Sequence, residues 1–460
     1  MGKLSLEALR SLGCRDIESF IGINGYVSRT PGIRGVIKKF PEDFQVWEII
    51  EGGLDAQKLW LDEKSMPIIG MKNLLLVMKK QDRETIKAIS QLSSMFGILP
   101  SQVSACGIKD RRALTWQFIS MPYTPKISGE IVLYNTWVKP VGSIDALSSK
   151  SLIRNNFWVK IREVEDASEE VIKECLEELR VRGVPNFFGY QRFGIARPIT
   201  HLVGSLIVKN DTESALKLFI GATTKLEKPS IRELREYFME TSDYKYVVNK
   251  FPRQLRYERA LARHMLESPD DFVGAFRRIP LRLRRLIVEA YSSYIFNRAL
   301  SISLKENPNL YEPYIGDLAV RLDMYGYPTD KIYEVNNWNI EEVEKRIKSG
   351  EVAIAIPQLG YSSKLPRGPR GDAIKSVLDE ESVELWDFRV KKIPEAGTAG
   401  SIRCIAIQQY QVKLEQIHSD FVDVTLSLPR GSYATALLRE LMKNECSLAY
   451  IGISHDHEGD

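Results

Sequence analysis

The segment at residues 107–118, GIKDRRALTWQF, places one carboxylate among three cations. Asp110 follows Lys109 and precedes Arg111 and Arg112. Neighbouring cations favour the ionised form of a carboxylate, so we expect Asp110 to be charged at neutral pH. The same cations can hold a phosphate backbone beside it, which a carboxylate acting on a polyanion requires because its own charge repels the substrate. An ordinary solvated turn is the alternative for this segment.

A second segment at residues 186–194, NFFGYQRFG, combines aromatic rings with polar groups that can contact a base. Aromatic faces stack on an unstacked nucleobase for about 1–3 kcal/mol. The amide of Asn186 can both donate and accept hydrogen bonds, and Arg192 can bind a phosphate or pair with Asp110. The segment therefore predicts a platform for a base. A structural loop whose rings fill the core is the alternative.

Three further groups are also candidates. The stretch KKFPEDFQVWE at residues 38–48 reads as a turn before an alternating strand, with Lys38 as a candidate for closing over an anion. A second group is a cluster of five arginines, which is denser than solubility requires and therefore favours phosphate contacts. Its members are Arg277, Arg278, Arg282, Arg284 and Arg285. A loop rich in Gly and Pro adds Lys364, Arg367 and Arg370.

The composition is that of an ordinary globular protein of 460 residues, 44% hydrophobic and 27% charged, with a net charge of +4. A net charge this small gives little indication of a nucleic-acid partner, so any basic surface must come from local clusters. The sequence has no apolar run of about 18 residues and no apolar signal core, so we expect no membrane span and a cytoplasmic protein. It has no phosphate-binding glycine motif and no zinc-ligand spacing, so we expect neither cofactor nor metal.

The elements that must position these segments alternate between strands and amphipathic helices up to about residue 200. The periodicity predicts a helix at 83–96 and strands at 72–80, 115–121, 130–138 and 156–164. Later residues are mainly helical until strand character returns near residues 402 and 420. This pattern predicts an α+β fold whose first domain is interrupted by a mostly helical insertion. The expected parts are 1–200, the insertion at 201–400, the return at 401–454 and a disordered tail at 455–460.

Five segments together resemble the TruD family of tRNA pseudouridine synthases, in the order that the family shows. They are KKFPEDFQVWE, GIKDRRALTWQF, PNFFGYQRFG, EAYSSYIFNRALS and LPRGSYATALLREL. The resemblance implies a pseudouridine-synthase catalytic domain, a mixed sheet with helices, and the family's insertion domain. It also implies isomerisation of uridine to pseudouridine, at position 13 of tRNA, without a cofactor. The length is closer to that of archaeal and eukaryotic members.

The resemblance assigns the catalytic carboxylate to Asp110. Phe188 would hold the uracil ring while it turns, and Asn186 would orient Asp110 or the base. We expect Arg192 to form an ion pair with Asp110, and the two arginines that follow Asp110 compete for that role. The expected substrate-binding residues are Lys38, Asn186, Phe188, Arg192, Arg111 and Arg112.

Two other functions stay open at this point. A glycoside hydrolase acts on the same type of bond but needs paired carboxylates, one of them a proton donor, and Asp110 among cations is a poor donor. A non-catalytic RNA-binding protein on the same fold is the alternative that we retain. Whether the protein modifies RNA or only binds it, tRNA is the expected partner, and we expect a monomer.

Overall fold

The computed structural model describes residues 6–62, 73–124, 127, 129–145, 147–165 and 167–452. The chain divides into two compact units, each built from separate segments. The sheet unit comprises Arg29–Glu178, Met324–Tyr327 and Ile407–Asp460. The helical unit comprises Met1–Ser28, Leu179–Asp323 and Pro328–Ala406. The predicted functional domains at 1–200, 201–400 and 401–454 stay a prediction, and the predicted disordered tail at 455–460 lies outside the described residues.

A mixed sheet forms the framework of the sheet unit. Numbered along the chain, its strands are β1 (Arg34–Val36), β2 (Phe44–Ile50), β3 (Leu54–Asp55), β4 (Asn73–Gln81), β5 (Ser104–Ala105), β6 (Leu114–Pro122), β7 (Ile131–Leu133), β8 (Thr136–Ile144), β9 (Leu152–Val164), β14 (Gln411–Ile417) and β15 (Phe421–Pro429). The order along the main path is β14-β15-β9-β2-β6-β4-β8-β7. The pair β2–β6 is parallel, whereas β4 pairs antiparallel with both β6 and β8.

The central strand β4 explains why the sheet is stable. Its NLLLVMKKQ sequence buries Leu74 to Met78 because both faces of the strand are covered, with alternate residues entering two different apolar clusters. The helices of this unit are α3 (Ala56–Leu61), α4 (Thr85–Phe96), the start of α5 (Glu169–Arg182) and α15 (Ala434–Met442). Helix α4 packs Ala88 and Leu92 into the same apolar cluster as Leu76. It ends at Gly97, whose φ of 67° stops a helix readily, so the predicted helix at 83–96 is confirmed.

The helical unit surrounds the long helix α12. Its helices are α1 (Leu6–Ser11), α2 (Ile17–Phe20), α6 (Thr200–Val208), α7 (Thr212–Gly221), α8 (Pro229–Thr241), α9 (Tyr244–Lys250), α10 (Arg256–Glu267), α11 (Phe272–Arg277), α12 (Leu281–Glu306), α13 (Ile340–Lys348) and α14 (Pro369–Glu381). Helix α12 packs against α6 and α14. A Cβ added at Gly204 of α6 would lie 2.3 Å from the carbonyl oxygen of Ile287, so glycine permits this close approach.

A four-stranded antiparallel sheet completes the helical unit, in the order β11-β10-β12-β13. Its strands are β10 (Leu318–Leu322), β11 (Pro328–Glu334), β12 (Val352–Gln358) and β13 (Ser401–Cys404). The sequence analysis did not predict β10, β11 or β12. Strand β11 is largely exposed and lacks an apolar face, whereas β12 is an almost wholly buried apolar run that was missed.

The α+β fold with a mixed sheet and a mainly helical part is confirmed. One predicted strand was wrong, because residues 130–138 form a hairpin of β7 and the start of β8 rather than one strand. Asn135 lies in its turn with a φ of 45°, a conformation that asparagine tolerates better than most residues. Within the described ranges, no helix combines the length and the apolar character needed to cross a bilayer.

Candidate active site

The Asp110 loop, residues 107–113, connects β5 to β6 in the sheet unit. The Nζ atom of Lys38 lies 2.6 Å from Oδ2 of Asp110. The Nζ atom of Lys80 donates a hydrogen bond of 2.7 Å to the main-chain carbonyl of Asp110. Both lysines are buried, whereas the Asp110 side chain is 25% exposed. Two ammonium groups therefore fix this residue while its carboxylate stays accessible.

Lys38 is held in place by the turn that precedes β2. Its φ of 60° lies in the left-handed region, which costs a residue with a side chain about 1–2 kcal/mol. The PED segment beyond it forms the predicted turn, one 3₁₀ turn at Pro41–Asp43. The buried carboxylate of Asp43 accepts two hydrogen bonds of 2.8 Å from Arg162 of β9. This bidentate pair anchors the turn, so the surrounding structure maintains the conformation of Lys38.

Lys80 lies at the end of β4 and is completely buried. Desolvation lowers the pKa of Lys80 to about 8, and the nearby Lys109 adds to this effect, whereas Asp110 opposes it. An amine with this pKa is mainly protonated at pH 7. The carbonyl of Asp110 therefore receives a hydrogen bond from a charged donor, which is stronger than one from a neutral group.

Lys109 points away from the loop surface into the sheet unit. Its Nζ atom lies 2.6 Å from Oε1 of Glu48, and both side chains are buried. The other carboxylate oxygen of Glu48 accepts a hydrogen bond of 2.8 Å from the N–H of Phe118. The N–H of Lys109 itself donates to the hydroxyl of Thr85 at 3.2 Å. Lys109 therefore anchors the loop to β2 through a buried ion pair with Glu48.

The two arginines predicted to bind substrate contact other partners in the sheet unit. Arg111 Nε lies 3.3 Å from Oδ1 of Asp82, and both side chains are largely exposed. Exposed pairs of this kind contribute at most about 1 kcal/mol, so Arg111 can be released to bind a ligand. Arg112 donates a hydrogen bond of 2.8 Å to the carbonyl of Lys39.

The Asn186 loop, residues 185–194, belongs to the helical unit. The N–H of Asn186 donates to the carbonyl of Ile405 at 2.8 Å, and its Nδ2 donates to the carbonyl of Cys404 at 3.0 Å. Arg403 donates to the main-chain oxygen of Asn186 at 3.0 Å and to its Oδ1 at 2.6 Å. The amide is thus fixed in one orientation, and Arg403, which the sequence analysis missed, is what fixes it.

Phe188 is held in a shell of cations and aromatic rings and is only 6% exposed. The guanidinium of Arg403 lies 4.1 Å from the ring centre, and that of Arg192 lies 5.6 Å from it. Phe296 meets the ring edge-on, with 5.4 Å between centroids. Asn297 accepts from the N–H of Phe188 at 2.9 Å and donates to its carbonyl at 3.1 Å. The backbone and the ring are therefore both immobilised.

Helix α12 positions the Asn186 loop through one of its faces. Besides the two residues that contact Phe188, Glu289 and Ser293 lie within 3.0 and 3.1 Å of the Arg192 guanidinium. All four come from the segment EAYSSYIFNRALS, at spacings of about one helical turn or less. The ion pair described for Arg192 is with Glu289, and the predicted pair of Arg192 with Asp110 stays a prediction.

An aromatic cluster supports the C-terminal end of the loop. Phe193 lies edge-on to His201, with 5.3 Å between ring centres, and Tyr294 stacks on the same imidazole at 4.9 Å. Phe20 contacts the imidazole from a further side at 5.3 Å. Burial lowers the pKa of His201 to about 3, so the imidazole is neutral at physiological pH. Among the residues that the structure describes, no group of three or more His, Cys, Asp or Glu side chains could hold a metal ion.

Comparisons with known proteins point in one direction. A family model described as tRNA pseudouridine synthase D (TruD) matches residues 20–441. A protein of Methanococcoides burtonii is 34% identical over 445 residues, covering 94% of this chain and 98% of that protein. One of Thermococcus onnurineus is 34% identical over 432 residues, covering 93% and 100%. Both are named "Probable tRNA pseudouridine synthase D". A crystal structure from Methanosarcina mazei, of a candidate TruD protein, matches with a TM-score of 0.76 at 31% identity, covering 93% and 98%.

Proposed function

The chain belongs to the tRNA pseudouridine synthase D (TruD) family, which isomerises uridine to pseudouridine, and we propose that this protein acts on uridine 13 of tRNA through Asp110. The observation that carries the proposal is the contact of 2.6 Å between Lys38 and the Asp110 carboxylate. It supports an ionised carboxylate at the centre of the GIKDRR segment. A tRNA substrate also favours a cytoplasmic protein, and the proposed active form is a monomer.

The chemistry requires one charged carboxylate and no external energy source. The N1–C1′ bond breaks, the detached uracil turns, and a C5–C1′ bond forms while N1 gains a proton and C5 loses one. Asp110 acts either as a nucleophile at C1′ or as a base at C2′, and both routes need its ionised form. The adjacent ammonium of Lys38 favours that form, and the partial exposure of Asp110 gives substrate access to it.

The Asn186 loop would supply the surface on which the base turns. Uracil must first leave its stack, at a cost of a few kcal/mol, which stacking on an aromatic ring offsets. Phe188 is the proposed ring, and its fixed backbone makes it a rigid platform. Both ends of the Asn186 amide are bound by Cys404 and Arg403, so we propose that Asn186 acts by shaping this loop.

Release of tritium from [5-³H]uridine in a tRNA transcript tests the proposal, because forming the C5–C1′ bond expels the hydrogen on C5. We expect the wild-type protein to release about one equivalent for each tRNA in a single-turnover assay. A transcript in which uridine 13 is replaced by cytidine is the matched control and should release none. Equal release from both transcripts would show that the modified uridine is not the one at position 13. Binding of tRNA with no release from either would support the non-catalytic alternative.

A further inference from the structure

A groove of about 440 Å³ opens in the helical unit beside the N-terminal turns of α12. For brevity it is called the basic groove. Its walls carry three guanidinium groups against a single carboxylate, together with two leucines, and the lining residues are Arg192, Leu281, Arg282, Arg285, Leu286 and Glu289. A groove with this lining favours an anion that also offers a less polar surface.

The five arginines at residues 277–285 do not share one role. Arg277 and Arg284 both donate to the carboxylate of Glu395, and Arg284 is mostly buried. Arg285 donates through Nε to the main-chain carbonyl of Glu395 at 3.0 Å. Glu395 therefore organises this part of the cluster, because its single carboxylate is shared by the half-exposed Arg277 and the mostly buried Arg284. We therefore expect only part of the cluster, rather than all five arginines, to contact phosphate.

Arg282 differs from its neighbours. Its side chain is exposed, and in the part of the chain that the structure describes it has no ion pair or side-chain hydrogen bond. Arg285 faces the same groove, because residues three apart on a helix lie on one face. The positive end of the α12 dipole lies at these first turns and adds to the attraction for an anion.

Arg192 links the basic groove to the Asn186 loop. It lines the groove, forms an ion pair of 3.0 Å with the half-exposed Glu289, and lies 5.6 Å from the ring of Phe188. An anion in the groove can compete with Glu289 for this guanidinium. A ligand that fills the groove is thus placed next to the ring proposed to hold the base.

We propose that the basic groove binds a phosphodiester of the RNA strand adjacent to the target nucleotide, an inference that rests on the proposed RNA substrate. Guanidinium forks match phosphate oxygens in a bidentate geometry. Leu281 and Leu286 provide apolar contacts for the neighbouring ribose. Arg282 and Arg285 bind the phosphate, whereas Arg277 and Arg284 maintain the local structure through Glu395.

The dependence of tRNA affinity on salt tests this division. The equilibrium affinity of wild type, Arg282→Gln, Arg285→Gln and Arg277→Gln for a tRNA transcript is measured between 50 and 200 mM salt, a range over which phosphate contacts have large effects. Each groove variant should flatten the plot of log affinity against log salt by about one unit of slope. Arg277→Gln removes the same charge from the same cluster and should leave the slope unchanged.

Two results would overturn the groove as an RNA site. One is a wild-type slope for Arg282→Gln, and the other is an equal flattening by Arg277→Gln. Poly-L-glutamate serves as a competing polyanion, and Arg282-dependent binding of poly-L-glutamate at RNA-like affinity would assign the groove to acidic polypeptides instead.

Tritium release by the wild-type protein keeps the two proposals separate. If the wild-type protein binds tRNA with a salt slope that depends on the groove arginines but releases no tritium, the proposed reaction is refuted and the groove proposal stands. If the wild-type protein releases tritium but replacing Arg282 or Arg285 does not change the salt slope, the groove proposal is refuted and the proposed reaction stands.

Discussion

The Asp110 loop and the Asn186 loop are held in place by different physical interactions. Buried lysines surround the first, where Lys38 contacts the carboxylate, Lys80 contacts the main chain and Lys109 pairs with Glu48. The second is fixed mainly by main-chain hydrogen bonds, by ring packing and by the guanidinium of Arg403.

This difference separates two tasks of the proposed reaction. The Asp110 loop determines the charge of a reacting group, so changes there should alter rates and pH dependence. The Asn186 loop determines the shape of a surface, so changes there should alter how a base is held. Two pH dependences and two side-chain replacements test this separation.

Acid should destabilise the region around the Asn186 loop, because it contains a buried neutral histidine. The pKa of His201 is about 3 in the folded protein against 6.5 for a free histidine. The unfolded state therefore gains a proton first, and the unfolding free energy, complete above pH 6.5, falls as the pH drops towards 3. The loss is at most about 5 kcal/mol. Urea unfolding at pH 7 and pH 4 should show a smaller loss for His201→Phe, and an equal loss in both proteins would contradict this origin.

Removing the ammonium at the Asp110 carboxylate should strongly reduce the rate. Lys38→Met leaves a charged oxygen without its described ion pair, and we expect a roughly 100-fold slower single-turnover tritium release, equivalent to about 3 kcal/mol. Lys39→Met is the matched control, because the ammonium of Lys39 pairs with the exposed Glu163 instead. A similar loss in both variants, or full activity of Lys38→Met, would show that the Lys38 charge is not required.

Alkaline pH should stabilise the region around the Asp110 loop, with the same sign of pH dependence as at His201 but in a higher pH range. Lys80 has a pKa of about 8 when folded and 10.5 when exposed. Between these values the unfolded state holds the proton that the folded state has lost, so the unfolding free energy rises with pH by at most about 3 kcal/mol. The rise should be smaller in Lys80→Met when unfolding is measured from pH 8 to 10.5. An identical rise in both proteins would exclude Lys80 as its source.

Replacing the ring of the platform should have an effect that begins below the other three, at about 1 kcal/mol. Phe188→Leu keeps an apolar side chain but removes stacking, worth about 1–3 kcal/mol, so we expect roughly a 5- to 150-fold slower reaction at saturating tRNA. Phe296→Leu is the control, since Phe296 is buried and meets Phe188 only edge-on. It should lower stability and slow the reaction less than Phe188→Leu does. A Phe188→Leu protein as fast as wild type would remove Phe188 from the proposed mechanism.

The sequence identified both loops because their motifs are local. The partners that fix them are distant in the chain: Lys38 and Asp110 are 72 positions apart, and Asn186 and Arg403 are 217 positions apart. Sequence patterns do not specify such pairs, which depend on strand register. The antiparallel register of β4 and β6 places Lys80 opposite Thr115, close to the end of the Asp110 loop. The apolar run of β4 predicted a strand but not that its second lysine is completely buried.

The helical unit shows a second limit of sequence analysis. The segment at 289–301 was recognised only as supporting a resemblance, whereas the structure shows that it contacts both Phe188 and Arg192. Neighbouring positions on one helix face become informative only when their partner is known. Arg403 lies outside every motif that the sequence analysis identified, on the short edge strand β13.

Pseudouridine formation by Asp110→Asn is the most direct test of the central claim, that one ionised carboxylate carries the reaction. Asparagine keeps the shape of the side chain and removes its charge. Tritium release from [5-³H]uridine-labelled tRNA and the affinity for the same tRNA are measured for wild type and variant. The account predicts release by the wild type alone, with tRNA still bound by both. Release by Asp110→Asn at the wild-type rate would contradict it.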